Sequence, residues 1–181
     1  MVNKNVSNIV LIGMPGSGKS TVGVILAKKT ARAFVDTDVL IQTAQQQTLQ
    51  QIVDQRGHVA LRAIEEALLL DLDVKNHVIA TGGSAVYSDA AMAHLRSDGI
   101  IVFLDADLAT LEKRVGDYSG RGIAKRPGQS FAGLYAERLG LYQKHADITV
   151  ACAGMAQEAV CDQIAAKLTA SSPKPKEKNR L

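Results

Sequence analysis

At 181 residues, with 46% hydrophobic and 22% charged positions, the chain has the proportions of one ordinary globular domain with a sizeable core. A net charge of +3, 4% aromatics and no Trp argue against a nucleic-acid partner, and no apolar run reaches the ~18 residues of a membrane span. Two cysteines, Cys152 and Cys161, have neither C-x-x-C spacing nor a His pair and read as buried reduced thiols; with no signal-peptide core after Met1, they predict a cytoplasmic protein.

Apolar runs alternate with helical patterns along the chain. Strands are predicted near 8–12, 33–35, 77–81, 100–104 and 147–150. Helices are predicted at about 19–31, 39–45, 48–55, 58–71, 88–97, 107–115, 130–145 and 155–169. Several strands are continuously apolar and β-branched, as strands buried on both faces are. The pattern is a βαβ series, an α/β fold around a parallel sheet with right-handed crossovers. Such sheets bind ligands at the carboxyl ends of their strands. Residues 116–129 have no apolar period and read as a lid loop, and 171–181 read as a disordered basic tail.

The first strand runs into Gly13-Met14-Pro15-Gly16-Ser17-Gly18-Lys19-Ser20, a complete G-x-x-x-x-G-K-S phosphate loop, with Thr21 following. Gly13, Pro15, Gly16, Ser17, Gly18, Lys19, Ser20 and Thr21 are therefore predicted to cradle ATP. Lys19 reaches the β- and γ-phosphates, the Ser20 hydroxyl ligates Mg²⁺, and the following helix points its positive end at the anion.

After the second strand, Asp36 and Asp38 can divide labour between a Mg²⁺-bound water and a substrate hydroxyl, although Asp38 could also be a helix N-cap. Arg62 and Glu65 are i,i+3 neighbours on a helix. They form either a surface ion pair or a fork in which Glu65 holds Arg62 for a substrate carboxylate. Gly82 and Gly83, after the third strand, permit close backbone approach to a ligand or form a plain turn. Arg114, Arg121, Lys125 and Arg126 put positive charge in and beside the lid, where phosphoryl transfer needs it. Arg138, on the penultimate helix, is a second candidate carboxylate clamp.

Taken in this order, the motifs resemble the shikimate kinase family of nucleoside-monophosphate-kinase-like P-loop enzymes. The likeness runs through about residues 8–150. It rests on GMPGSGKSTVG (13–23), FVDTDVLI (34–41), G-x4-LR-x2-E (57–65), ATGGS (80–84), the lid arginines and ER-x2-LY-x3-AD (137–147). The resemblance implies a P-loop three-layer sandwich: a five-stranded parallel sheet, helices on both faces, a mobile lid at about 112–129, and one domain over 1–170. It implies that Lys19 is the phosphate lysine, Ser20 the Mg²⁺ ligand and Asp36 the outer-sphere magnesium carboxylate. Asp38 resembles the residue that contacts substrate hydroxyls and acts as base. Arg62 and Arg138 resemble the pair that grips the shikimate carboxylate, with Gly82 and Gly83 beside the substrate. Arg114 resembles the nucleotide arginine and Arg121 the catalytic lid arginine; Arg126-Pro127 is the rival match.

The chain departs from the family pattern at Leu61, Ser84, Gly122-Ile123 and Gly140, where Phe, Gly, Pro-Leu and Pro are usual. The implied activity is ATP-dependent phosphorylation of the 3-hydroxyl of shikimate by a monomer. The alternatives are a kinase of another small hydroxy acid such as homoserine, and a nucleotide-binding regulatory module without catalysis.

Overall fold

A computed structural model describes residues 7–116 and 122–171. Arg121 and residues 172–181, most of the segment expected as a tail, lie outside the described residues. Five strands, β1 (Asn8–Ile12), β2 (Ala33–Asp36), β3 (His77–Ala80), β4 (Gly99–Asp105) and β5 (Ile148–Ala151), form one sheet in the order β2-β3-β1-β4-β5. Every neighbouring pair is parallel. The helices are α1 (Lys19–Lys29), α2 (Thr37–Gln45), α3 (Leu49–Asp71), α4 (Asp89–Ser97), α5 (Leu108–Val115), α6 (Phe131–His145) and α7 (Gln157–Ser171).

All five residues of β1 are buried although successive side chains point to opposite faces, so both faces of the sheet are covered. This burial explains why β1 reads as an unbroken apolar run from Ile9 to Ile12. β1 lies between β3 and β4: the next two strands in the chain, β2 and β3, lie on one side of it and the last two, β4 and β5, on the other. A crevice therefore opens at the carboxyl end of β1, where such folds bind ligands. Thr81 ties the end of β3 to this point: its N–H and its hydroxyl each donate to Leu11 O at 3.1 Å.

The helix boundaries follow their caps. The Asp36 side chain accepts from the Asp38 N–H at 3.0 Å, so α2 starts at Thr37 with Asp36 as its cap, and the alternative reading of Asp38 as the N-cap does not hold. Thr48 and Gln51 form a capping box that starts α3. Gly57, at φ 81° and ψ 167°, breaks α3 where the sequence predicts two helices. A 3₁₀ turn at Ala85–Tyr87, which the sequence pattern does not signal, follows β3.

The main core surrounds the sheet. A smaller apolar cluster of Ile41, Ile52, Leu61 and Ala124 joins α2, α3 and the lid segment. Ile123 is buried in the main core. Although 116–129 has no apolar period, Ile123 and Ala124 are seated in apolar clusters, Ala124 against residues of α2 and α3. Both cysteines are free and buried, and burial pushes the Cys152 thiol up to about 11, which keeps it an unreactive thiol. Among the described residues no helix is long and apolar enough to cross a membrane.

Candidate active site

The crevice beyond β1 is a cleft of about 450 Å³. One wall is the phosphate loop. Gly13 and Gly16 have φ of 146° and 84°; a Cβ on Gly13 would sit 2.8 Å from Leu104 O, and one on Gly16 2.5 Å from Val115 Cγ2. Only glycine lets the loop turn this tightly against β4 and α5. Gly18 caps α1 without a side-chain hydrogen bond, and the first turn holds no acidic residue. The leading N–H groups of α1 are thus left for an anion. Ser17 Oγ is buried with no partner among the described residues.

Lys19 Nζ donates to Gly13 O at 2.7 Å and Met14 O at 3.0 Å, folded onto its own loop. Burial depresses its pKa to about 8, against the opposing pull of Asp38. The Ser20 hydroxyl donates to Asp36 Oδ2 at 2.6 Å. Among the described residues no three His, Cys, Asp or Glu side chains cluster around a metal position. Ser20 and Asp36 instead offer a partial oxygen set, of the kind Mg²⁺ uses together with phosphate oxygens and water. The unpaired Ser17 hydroxyl, the open end of α1 and this oxygen pair fit a Mg²⁺-bound nucleotide.

The opposite wall is acidic. Asp38 is largely buried, and desolvation raises its pKa while Lys19 holds it down. Gly82 packs against two carboxyl groups: a Cβ there would lie 2.7 Å from Asp38 Oδ1 and 2.3 Å from Glu65 Oε1. At Gly83 a Cβ would come within 2.9 Å of Arg138 Nη1. The paired glycines are thus a close approach to charged side chains, which a plain turn would not require. The Tyr142 hydroxyl fixes this segment by donating to Gly83 O at 2.7 Å.

Glu65 corrects both readings of its relation to Arg62. It is 2% exposed, and its Oε2 accepts from the Ser84 hydroxyl. Its Oε1 has no hydrogen-bond partner among the described residues, and burial pushes its pKa up to about 7. Ser84 offers a closer donor than the guanidinium, and Arg62 has a different support. The Arg62 guanidinium lies 3.5 Å above the Tyr87 ring, and its Nη2 donates to Ala124 O at 3.3 Å. Arg138, 1% exposed, donates from Nη2 to the same Ala124 O at 2.7 Å. The two predicted clamp arginines, on α3 and α6, therefore converge on one carbonyl of the lid segment.

Pro15, Gly16, Gly18, Lys19, Ser20, Thr21, Asp38, Gly82, Gly83, Arg114 and Arg138 all border the cleft. Gly13, Ser17 and Asp36 stand behind its wall, joined to it through Lys19, the loop and Ser20. Arg62 borders a smaller adjoining cavity with Glu65, Ser84 and Tyr87. Arg126 turns away from the cleft and pairs with Glu137 at 3.4 Å. Sequence reasoning missed Ile41, Leu49 and Gln157 on the cleft wall, and Tyr87 and Glu137 behind the arginines. The helical period of 37–45 carries a signal for Ile41; nothing in the sequence singles out Tyr87.

The chain is similar to known proteins over most of its length. The family model described as shikimate kinase matches residues 15–169. A shikimate kinase of Thermodesulfovibrio yellowstonii is 36% identical over 160 residues, covering 87% of this chain and 92% of that protein. One from Clostridium botulinum (strain Eklund 17B / Type B) is 35% identical over 139 residues, covering 76% and 83%. Among solved structures, the shikimate kinase from Acinetobacter baumannii in complex with shikimate superposes with a TM-score of 0.86 at 29% identity, over 94% of this chain and 97% of that one. Shikimate kinase from Aquifex aeolicus gives 0.77 at 33% identity, over 92% and 99%. With its phosphate loop, its paired arginines and this breadth of similarity, the chain belongs to the shikimate kinase family.

Proposed function

We propose that this protein transfers the γ-phosphoryl group of ATP to the 3-hydroxyl of shikimate. The observation that carries the acceptor assignment is the convergence of Arg62 and Arg138 on Ala124 O, a residue that borders the same cleft as Lys19 and Asp38. Two guanidinium forks meeting at one oxygen suit a carboxylate, which accepts from both with two oxygens of its own. Shikimate carries that carboxylate and a hydroxyl for Asp38.

In this reading Arg62 and Arg138 exchange the Ala124 carbonyl for the acceptor carboxylate and fix its orientation. Asp38 accepts a hydrogen bond from the acceptor hydroxyl. As the hydroxyl oxygen bonds to the γ-phosphorus, the bond from that phosphorus to the bridging oxygen of ADP breaks. The hydroxyl proton passes to Asp38 and then to solvent. Lys19 leaves Gly13 O and Met14 O for the phosphate oxygens, where its charge stabilises the transferring group. Arg114 faces the nucleotide, and Arg121, outside the described residues, is assigned to the γ-phosphoryl. Ser20 and Asp36 would hold Mg²⁺, Asp36 through water; when bound, the ion supplies charge neutralisation at the phosphates. Ile123 and Ala124 close the acceptor end against water. We further read residues 1–170 as one domain with its lid at 112–129, acting as a cytoplasmic monomer without a nucleic-acid partner.

Product analysis tests the reaction. After incubation with ATP, Mg²⁺ and shikimate, phosphorus NMR is expected to show a monoester coupled to the proton at ring position 3. A spectrum containing only ADP and inorganic phosphate would contradict the assignment.

A further inference from the structure

One side chain touches both clamp arginines and has no assigned part in the reaction. Tyr87 ends the 3₁₀ turn that follows the paired glycines. Its ring face lies 3.5 Å under the Arg62 guanidinium and 5.3 Å from that of Arg138. Its hydroxyl donates to Glu137 Oε1 at 2.5 Å and accepts from Arg138 Nε at 3.4 Å. Glu137 is also held by Gln129 Nε2 at 2.8 Å and Arg126 at 3.4 Å, and stands 4.0 Å from Arg62. These hydrogen bonds and charges, that from Tyr87 first, hold the Glu137 carboxyl below its ordinary range. Glu137 is thus hydrogen-bonded to Tyr87 and Gln129, and meets Arg62 only as a long ion pair at 4.0 Å.

The consequence lies in what remains free on Arg62. A carboxylate partner would occupy the N–H edge of the fork and neutralise it. An aromatic face attracts the cation from above and leaves that edge open. The structure shows this state: Arg62 Nε is buried with no hydrogen-bond partner among the described residues, and Nη2 makes one long bond to Ala124 O. A buried unpaired donor next to a loosely held one is a site awaiting an acceptor. Glu65 cannot serve as the support, since Ser84 holds it at Gly82 and Asp38.

We infer that Tyr87 is a positioning residue: it stacks under Arg62, leaving the Arg62 Nε edge open to the acceptor carboxylate, and hydrogen-bonds to Arg138 and Glu137, holding the second fork in register with the first. This rests on the reading of the two arginines as the carboxylate clamp. Its effect falls on acceptor capture, because Tyr87 lies behind the arginines and borders the small cavity with Arg62 rather than the nucleotide cleft.

The test compares Tyr87→Leu, which keeps apolar bulk but loses the aromatic face and hydroxyl, with Tyr87→Phe, which loses the hydroxyl alone. Steady-state kinetics with shikimate and ATP are measured for both, with Arg62→Lys as a control and thermal melting to report folding. Tyr87→Leu is expected to raise the shikimate KM about tenfold, and Tyr87→Phe about threefold, with kcat and the ATP KM within twofold of the parent. A shikimate KM unmoved in Tyr87→Leu, or raised equally with the ATP KM, overturns the proposal. Should Tyr87→Leu fail to fold, Tyr87→Phe decides it alone, and an unmoved shikimate KM again overturns it. If Arg62→Lys also leaves the shikimate KM unchanged, the clamp reading fails; if only the Tyr87 variants are silent, that reading stands and the role of Tyr87 falls.

Discussion

The Ser84 hydroxyl donates to Glu65, and so fixes a buried carboxyl beside Asp38 instead of beside Arg62. A glycine at this position would offer no such donor. Glu65 takes its proton at about 7 in the fold, against an ordinary value of 4.5. The folded state therefore binds that proton more tightly than the unfolded chain. The stabilisation is full below about pH 4.5 and is lost as pH rises through about 7. Relative to Glu65→Gln, the parent is expected to lose ~3 kcal/mol of stability between pH 4.5 and 8, since each pH unit separating the two affinities is worth ~1.4 kcal/mol. Urea denaturation of both proteins across this range measures it. A difference between them that does not change with pH would contradict the buried, proton-retaining Glu65.

Lys19 is perturbed in the opposite direction. With its pKa near 8 in the free protein, it loses its proton as pH rises past that value. A bound triphosphate brings negative charge and draws the proton back. ATP binding at pH 8.5 is therefore expected to take up part of a proton. Calorimetry in two buffers of different ionisation enthalpy reads this directly, and equal apparent enthalpies would count against it. Lys19→Ala, which removes the charge, is expected to lower kcat by ~10²–10³ while the protein still folds.

For the arginines the expected signature is a split between substrates. Arg62→Lys and Arg138→Lys keep charge but lose the planar fork. Each is expected to raise the shikimate KM by ten- to a hundredfold, on the scale of ~1.5–3 kcal/mol for a charge-assisted hydrogen bond, with little change for ATP. Initial-rate kinetics with either substrate varied checks this, and equal rises in both KM values would remove the arginines from the acceptor site.

Gly122 tests the closed lid segment. It sits at φ 59°, its N–H donates to Gln50 Oε1 at 2.7 Å, and a Cβ would meet Gln50 N at 2.5 Å. Gly122→Ala is expected to push Ile123 and Ala124 off α3, lowering kcat/KM for shikimate tenfold or more while the melting temperature changes by only a few degrees. Parent-like kinetics in this variant would mean that the contact with α3 is not needed for turnover.

The legible parts of this protein are those set by short-range rules. The five strands and the phosphate loop follow from apolar runs and glycine spacing, and the break at Gly57 is readable because glycine ends one helical period and another begins. The cap on α2 is not separable in the sequence, since Asp36 and Asp38 are chemically equal and only the chain direction out of β2 distinguishes them. Glu65 escapes the sequence because i,i+3 spacing describes neighbours on an isolated helix. The donor that captures it, Ser84, lies 19 residues further along the chain, beyond the end of β3. Tyr87 is invisible for the same reason: its partners come from α3 and α6, and no local pattern links them.

The central claim concerns the acceptor, and one measurement addresses it directly. ADP release is followed by a coupled assay with saturating MgATP over shikimate, homoserine, gluconate and nucleoside monophosphates. Shikimate is expected to give the highest kcat/KM of the panel. A tenfold higher value with homoserine or another hydroxy acid, or ADP release that no acceptor increases, would contradict the account.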